Sequence, residues 1–120
     1  MRIPSKIYAI QHNVTKKIYI GISWKPEQRY LNHISKLRNG KHTVEDMQKD
    51  FDEYGEDFSF FIIDEITNFE DRKKEYQWMQ KYKSNIRGIG YNYKEKEKAV
   101  LYSKYDVPYK DGLPEPLMQE

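Results

Sequence analysis

The 120-residue chain contains no cysteine, which excludes disulfide bonds, thiolate metal sites and cysteine nucleophiles. It also lacks any apolar run close to the ~20 residues that a membrane-spanning helix requires. Residues 1–6 hold no apolar segment of the kind found in signal peptides. We therefore expect a cytoplasmic protein without a membrane partner, with room for one domain and a modest core.

Acidic residues are scarce in the first third of the chain. Residues 1–42 hold nine Lys and Arg but a single acid, Glu27, and their net charge is +8. Residues 43–120 hold twelve basic and eighteen acidic side chains, a net charge of −6. A local positive charge attracts nucleic-acid phosphates through counterion release. The asymmetry therefore indicates nucleic acid as a partner, although scattered solubilising lysines would produce the same count.

Two alternating segments near the start of the chain predict a β-hairpin. Each contains one tyrosine, Tyr8 in the first and Tyr19 in the second. If residues 12–15 form a four-residue loop, these tyrosines lie directly opposite each other and share one face of the sheet with Lys6. We expect that face to be free for chemistry because the core needs only the other one, which carries Ile7, Ala9, Ile18 and Ile20.

A first helix is predicted from Pro26, a favourable first helical residue, to a stop at Asn39 and Gly40. Arg29 and His33 are four residues apart and therefore lie on the same side of this helix. They lie beside the stripe that we expect to be buried, which consists of Tyr30, Ile34 and Leu37.

A second helix is expected to begin with a capping box formed by Thr43 and Asp46 and to end at Gly55. The segment that follows, residues 58–66, is aromatic and β-branched, which predicts a strand. Because it is apolar on both faces for several residues, we expect this strand to be the central one.

A third helix, capped by Asn68, is predicted over residues 69–83. Glu75 falls within the apolar arc of this helix, where a carboxylate is costly unless another group pairs with it. The same arc contains Trp78, Met79 and Tyr82.

We assign residues 1–93, which end just after a brief extended piece at Tyr91 and Asn92, to one domain and residues 94–120 to a C-terminal extension. The extension begins with a solvated run of alternating Lys and Glu and continues with tyrosines and then Pro and Gly. This composition predicts a short helix followed by an extended tail.

The chain contains an ordered series of motifs, namely Lys6-Ile7-Tyr8, Tyr19-Ile20-Gly21, Arg29, His33, His42, Gln48, Tyr54-Gly55-Glu56, Phe58, Glu75, Trp78 and Gly90-Tyr91-Asn92. This series resembles the GIY-YIG nuclease domain, and the nearest subgroup is the phage and intron-encoded homing endonucleases. The resemblance spans residues 5–93, nearly the whole compact part. It implies an α+β fold, a small three-stranded antiparallel sheet flanked by about three helices, that cuts DNA with one divalent ion, Mg²⁺ or Mn²⁺.

The family's functional residues can be placed on this sequence. One motif position departs from the family, because Lys6 replaces the first glycine of the family motif. Since Lys6 lies in a predicted strand where no positive φ is needed, we expect it to alter substrate contact more than activity. The implied catalytic residues are Tyr8, Tyr19, Arg29, His33 and Glu75, of which Glu75 is also the metal ligand. Supporting or DNA-binding positions are His42 and Asn92 by resemblance and Ser23 and Lys25 by location alone.

Chemical arguments favour these roles and leave alternatives for several of them. The Arg29 guanidinium can bind two phosphate oxygens, unless it forms only a surface salt bridge. Glu75 as sole acidic ligand suits Mg²⁺ or Mn²⁺, and its alternative is an ion pair with Arg72 or Lys74. A phenol has a pKa of about 10, so Tyr8 can take a proton from water only if its pKa is lowered.

The remaining candidates are also ambiguous. Tyr19 is expected to hydrogen-bond the attacking water or the phosphate. His33 can relay a proton, bind phosphate or simply pack against the helix. Asn92 is expected to hold either Glu75 or a loop carbonyl through its side-chain amide.

Three functions are open on the sequence alone. The favoured one is a metal-dependent DNA endonuclease associated with a phage or mobile element. The others are a catalytically silent DNA-binding or protein-interaction module and a structure-specific or repair nuclease. About 28 residues follow Asn92, which is little room for a separate DNA-reading region. Target specificity would therefore come from the tail, a partner protein or a dimer.

Overall fold

The computed structural model describes residues 5–66, 72–86 and 88–93. Within these ranges the predicted α+β architecture is confirmed, because three antiparallel strands form one sheet and three helices accompany it. No helix in these ranges has both the length and the apolar character needed to cross a membrane. The elements are β1 (Ser5–His12), β2 (Ile18–Ser23), α1 (Pro26–Arg38), α2 (Glu45–Tyr54), β3 (Phe58–Ile66) and α3 (Arg72–Tyr82).

Some sequence predictions fall outside the described ranges. They are the Asn68 cap, the first three residues of the predicted third helix, and the helix and tail predicted over residues 94–120. The rest of the third helix is confirmed as α3, which ends at Tyr82, one residue before the predicted end.

The strand order is β2-β1-β3, so β1 is central and β3 forms an edge. The prediction that residues 58–66 form the central strand is therefore wrong. An edge strand that is partly covered on both faces also needs apolar residues on both, and the sequence pattern does not separate the two cases. The central position of β1 is hidden in the sequence by Gln11 and His12, which are polar yet buried.

The hairpin register differs from the predicted one by two residues. Tyr8 pairs with Gly21, and Tyr19 pairs with Ile10. The two tyrosines are therefore diagonal neighbours on one face and are not directly opposite, as the four-residue loop had predicted. A side chain at position 21 would collide with the Tyr8 phenol, so a glycine there lets the ring lie across β2.

The loop that sets this register spans residues 13–17, between β1 and β2. The His12 backbone N–H donates to the Lys17 carbonyl at 3.0 Å, and the Val14 N–H donates to His12 Nδ1 at 3.1 Å. Lys16 adopts a φ of 66°, which lies in the left-handed region. This conformation is uncommon for residues other than glycine, so the sequence did not predict it here. A shift by an even number of residues preserves the faces, so each side chain still points the predicted way.

The sheet has two differently covered faces. The face that carries Ile7 and Ala9, here called the aliphatic face, packs against α3 and the segment after it through Tyr82 and Ile89. The opposite face, here called the tyrosine face, lies against α1, where His33 contacts Tyr8. Tyr8 is only 1% exposed, so the expectation that this face stays free is wrong.

The helix predictions are confirmed except for one cap. Helix α1 begins at Pro26 as predicted, and Gly40 follows it with a φ of 69°. Ile34 and Leu37 are buried and Tyr30 is half-buried, which confirms the apolar stripe. Helix α2 begins later than predicted, with Val44 as its N-cap and no side-chain cap bond, so the capping box at Thr43 is wrong.

Asp50 of α2 ties three distant segments together on the tyrosine side. Its carboxylate is 5% exposed and accepts hydrogen bonds from Tyr91 Oη at 2.7 Å and from Thr15 Oγ1 at 3.2 Å. The Lys17 ammonium lies 3.9 Å from the same oxygen. A buried carboxylate is tolerated when donors surround it, and here the donors come from the hairpin loop and the C-terminal segment. These contacts hold α2 against the hairpin.

Candidate active site

The two motif tyrosines form the floor of the candidate site. Their ring centroids are 6.3 Å apart, and the two rings are tilted by 42° to each other. Tyr8 is buried beneath α1, whereas Tyr19 is half-buried and nearer the surface. The geometry of the sheet brings the two rings together. Diagonal neighbours on one face of adjacent strands are close enough for long side chains to touch.

An arginine and a glutamate act electrostatically on both phenols. The Arg29 guanidinium lowers the pKa of Tyr8 and of Tyr19, and the Glu75 carboxylate raises both. Arg29 belongs to the N-terminal part of α1 and Glu75 to the first turn of α3. Charges act on a titrating group in this way only when they are near it. Side chains from β1, β2, α1 and α3 therefore converge on one place, as the motif series predicts.

The phenols are fully protonated at neutral pH in the protein without a bound ion. Burial raises the pKa of Tyr8, and the neighbouring Tyr19 and Glu75 raise it further. Burial also raises the pKa of Tyr19, followed by the effect of Glu75. The opposing influence of Arg29 is too small to reverse either shift. A role as base for Tyr8 therefore requires additional positive charge beside it when substrate is present.

Two histidines extend the site away from the phenols. His33 Nε2 lies 3.3 Å from Tyr8 Oη, and His33 Nδ1 lies 2.8 Å from His42 Nε2. The two imidazole rings are stacked with centroids 5.0 Å apart. Burial lowers the pKa of each to about 4, helped at His33 by the nearby His42 and at His42 by Lys36. Both imidazoles are consequently neutral near pH 7.

Gln48 belongs to the motif series but had no predicted role. Gln48 Oε1 accepts the His42 backbone N–H at 3.1 Å, and its Nε2 donates to the Leu37 carbonyl at 3.0 Å. Gln48 therefore fixes the chain at His42 between α1 and α2. The sequence signal was only its place in the motif, since a glutamine in an amphipathic helix is otherwise expected at the surface.

The connection between β2 and α1 presents Arg29. Ser23 Oγ accepts the Lys25 backbone N–H at 3.0 Å, and the Lys25 carbonyl accepts the Arg29 N–H at 3.0 Å. The Lys25 ammonium lies 4.6 Å from the centroid of the Trp24 ring. Ser23 thus has a structural contact in addition to its predicted role at phosphate. The DNA contacts assigned to Ser23 and Lys25 stay predictions.

Asn92 brackets β2 beside Tyr19. Its Oδ1 accepts the Ile20 N–H at 2.7 Å, and its Nδ2 donates to the Ile20 carbonyl at 2.9 Å. The amide thus continues the hydrogen bonding of the sheet at the edge of β2. This partner corrects the sequence prediction, which had Asn92 holding Glu75 or a loop carbonyl. The bracketing function itself is borne out, and it fixes the strand that carries Tyr19.

The predicted alternative role of Glu75 is an ion pair with Arg72 or Lys74. The Lys74 ammonium lies 4.0 Å from Asp64 Oδ1, and Trp78 Nε1 donates to Asp64 Oδ2 at 2.9 Å. Lys74 is thus oriented toward Asp64, while the side chain of Arg72 lies outside the described part. Glu75 is half-buried and raises the pKa of both phenols. In the described ranges, no group of three or more His, Asp or Glu side chains could hold a metal ion.

Comparison with known proteins places this arrangement in a family. The sequence profile of the GIY-YIG catalytic domain matches residues 4–92. The chain belongs to the GIY-YIG nuclease family. The match covers both tyrosine motifs, Arg29, Glu75 and Asn92, so the family resemblance seen in the sequence is confirmed.

A phage protein and two solved structures are similar to this GIY-YIG chain. Intron-associated endonuclease 1 of Enterobacteria phage T4 is 30% identical over 86 residues, which are 70% of this chain and 35% of the phage protein. A mutant of the catalytic domain of intron endonuclease I-TevI has a TM-score of 0.66 and 30% identity, over 74% of this chain and 92% of that one. Another structure of the I-TevI catalytic domain has a TM-score of 0.64 and 28% identity, over 72% and 96% of the two chains. This chain thus spans about a third of the curated relative it matches.

Proposed function

We propose that this protein is a metal-dependent DNA endonuclease that hydrolyses phosphodiester bonds inside cells, in a phage or mobile-element setting. The observation that supports this most is the convergence of Arg29 and Glu75 on the Tyr8–Tyr19 pair. The relatives named as intron endonucleases support the choice of substrate. Residues 1–93 would form the catalytic domain and residues 94–120 an extension.

Arg29 is proposed to bind the scissile phosphate. It is exposed at the start of α1 and close enough to both phenols to affect their pKa values. The planar guanidinium can donate to two phosphate oxygens and can offset the negative charge that develops during attack. The net charge of +8 over residues 1–42 would draw the DNA backbone toward this surface.

Glu75 is proposed as the protein ligand of one Mg²⁺ or Mn²⁺ ion. A single half-buried carboxylate fits such an ion, because Mg²⁺ usually keeps several waters and takes its other ligands from substrate phosphate. When bound, the ion would polarise the phosphate and make a coordinated water more acidic. Binding of the ion should therefore be weak without DNA.

We propose that the two phenols position the attacking water and the substrate phosphate. Tyr19, the more accessible of the pair, would hydrogen-bond the water or a phosphate oxygen. Once the positive charge of Arg29 and of the loaded site lowers its pKa, Tyr8 would lose its own proton to solvent, and the resulting phenolate would then accept a proton from the attacking water. His33 would keep the Tyr8 oxygen in position from the other side.

Incubation of the purified protein with supercoiled, linear and branched DNA tests this function. Nicking should appear with Mg²⁺ or Mn²⁺, disappear with EDTA, and be lost in Glu75→Gln and Arg29→Ala variants that remain folded. Tight DNA binding without cutting under all conditions would instead identify a silent binding module. Cutting restricted to branched DNA would identify a structure-specific nuclease.

Target choice is proposed to depend on a partner protein or a second copy of the chain. The chain matches 35% of the length of its phage relative, and the catalytic-domain profile matches residues 4–92 of this chain. One active site cuts one strand at a time, and a double-strand cut would need two sites or two successive events. Size measurement of the protein alone and on DNA distinguishes these cases.

A further inference from the structure

The backbone N–H of Val44 determines where His42 carries its proton. This N–H lies 3.0 Å from His42 Nδ1. A backbone N–H can only donate, so Nδ1 must accept and cannot itself carry a hydrogen. A neutral imidazole has one protonated nitrogen, and His42 therefore carries its hydrogen on Nε2. Val44 is the N-cap of α2, where the N–H points outside the ladder of the helix and is available for this contact.

The proton position of His33 follows from that of His42. His42 Nε2 lies 2.8 Å from His33 Nδ1 and, being protonated, donates to it. His33 Nδ1 is therefore the acceptor, and its single hydrogen lies on Nε2, which is 3.3 Å from Tyr8 Oη. Protonation of either ring would remove this constraint, but their pKa values of about 4 keep both neutral at pH 7.

The three hydrogen bonds from Val44 to Tyr8 run in one direction. The Val44 N–H donates to His42, His42 donates to His33, and His33 donates to the Tyr8 oxygen. Hydrogen bonds that share one polarity in this way polarise one another.

We propose that the Val44 N–H, acting through His42 and His33, fixes His33 as a hydrogen-bond donor to the Tyr8 oxygen. His33 is then not the acceptor of the Tyr8 proton. It supports the phenolate form of Tyr8, since an N–H aimed at the oxygen favours negative charge there. With the opposite tautomer, His33 Nε2 would instead accept the Tyr8 hydrogen and would favour the protonated phenol. The catalytic part of this inference rests on the proposed function, whereas the tautomers do not.

Nitrogen NMR of the imidazole rings in the unsubstituted protein is the first test. Spectra correlating ring nitrogens with ring protons at pH 7.5 distinguish protonated from unprotonated nitrogens. We expect both His33 and His42 to be protonated at Nε2 and unprotonated at Nδ1. A hydrogen on Nδ1 of either ring would overturn the proposal, whether or not the protein cuts DNA.

Replacing Val44 by proline removes the decisive N–H together with the valine side chain. Val44 has a φ of −84°, close to the value that proline imposes, and lies just before the helix, where proline is tolerated. The Val44→Ala variant is the matched control because it loses the side-chain packing but keeps the N–H. We expect mixed tautomers at His42 and His33 in Val44→Pro, and the unsubstituted pattern in Val44→Ala. Unchanged tautomers in Val44→Pro would overturn the role of the N–H.

A His42→Phe variant gives the same information if Val44→Pro does not fold. It removes the donor to His33 while keeping an aromatic ring beside it, and we expect His33 to populate both tautomers. Retention of a single Nε2–H tautomer at His33 would contradict control by His42.

Single-turnover cleavage tests the catalytic consequence. We expect Val44→Pro to cut about fivefold more slowly than Val44→Ala at saturating DNA, with an unchanged KM, as for the loss of one hydrogen bond. Equal rates in the two variants, with the tautomers disturbed, would overturn the catalytic part. If the unsubstituted protein does not cut DNA, the proposed nuclease function fails, and the NMR result still decides the tautomers.

Discussion

The two faces of the sheet bury side chains of similar size by different means. The aliphatic face is filled chiefly by Ile7, Ala9, Ile18 and Ile20, each 0% exposed. The tyrosine face buries Tyr8 and half-buries His33, and both need hydrogen-bond partners. Burial of aliphatic groups stabilises without regard to direction, whereas buried polar groups are stable only in particular orientations. The first face therefore supplies stability, and the second supplies fixed orientation for chemistry.

Removing the acid should produce the largest effect on activity. In Glu75→Gln we expect cleavage to fall by at least about a thousandfold, because the proposed ion loses its charged protein ligand. The control is Glu65→Gln, which changes an exposed acid that pairs with Lys6 and lies outside the tyrosine pair. The midpoint of urea unfolding should barely move in either variant. Near-normal cleavage by Glu75→Gln would remove the basis of the proposed mechanism.

A truncation on the aliphatic face should separate stability from activity. Ile7→Ala opens a cavity in the α3-facing core and should lower the free energy of unfolding by about 2–5 kcal/mol. Denaturant unfolding measures this loss, and single-turnover assays well below the unfolding midpoint measure the rate. We expect the folded fraction to cut at nearly the unsubstituted rate. A large loss of rate in that fraction would show that the two faces are not independent.

Removing one hydroxyl on the tyrosine face should reduce the cleavage rate strongly and the stability only slightly. Tyr8→Phe keeps the ring but leaves the His33 Nε2–H without its acceptor, so cleavage should fall about a hundredfold. The free energy of unfolding should fall by only about 1–2 kcal/mol. Tyr30→Phe is a suitable control, since Tyr30 stacks on Phe60 and is half-buried. Full activity of Tyr8→Phe would end any catalytic role for that hydroxyl.

Acidification should weaken the tyrosine face. Burial lowers the pKa of His33 and of His42 from 6.5 to about 4, so between these values the unfolded chain binds more protons than the folded one. Stability should therefore be greatest above pH 6.5, decline as the pH falls toward 4, and change little from these two groups below that. Urea unfolding from pH 7 to 4 should show a shallower decline in His42→Gln. Identical profiles would argue against the histidine pair as the source.

The smallest effect is expected at the surface. Lys6 Nζ lies 2.9 Å from Glu65 Oε1, and both side chains are well exposed. Exposed ion pairs contribute little, so Lys6→Gln should change the free energy of unfolding by less than about 1 kcal/mol. If Lys6 alters substrate contact, as its place in the motif predicts, DNA affinity should become less sensitive to salt. An unfolding change well above this bound would show that the pair is more than a surface contact.

Local features of the fold were readable from the sequence, and long-range ones were not. The bounds of β3, the start of α1 at Pro26 and the Gly55 stop followed from periodicity and capping rules. The register of the hairpin did not, because it depends on His12, whose Nε2 lies 3.3 Å from the Gly55 carbonyl 43 positions away. The edge position of β3 and the correct partner of Asn92 were missed for the same reason.

The residues of the candidate site were predicted from the sequence, but their burial and their contacts with one another were not. The motif series named Tyr8, Tyr19, Arg29, His33 and Glu75, and the described structure brings the phenols, the cation and the acid together. The catalytic roles themselves stay predictions. The burial of Tyr8 and the contact between the two histidines required the packing of α1 on the sheet.

The sequence by itself determined which side chains share a face, since alternation in strands and 3.6-residue spacing in helices are properties of the local backbone. Only the tertiary structure decided which of those faces are covered, which residues pair across the hairpin, and which nitrogen of each histidine carries a hydrogen. These outcomes depend on contacts between residues far apart in the chain. A proton position, in particular, is set by the nearest donor in space, and that donor is the N–H of Val44 for one ring and its histidine neighbour for the other.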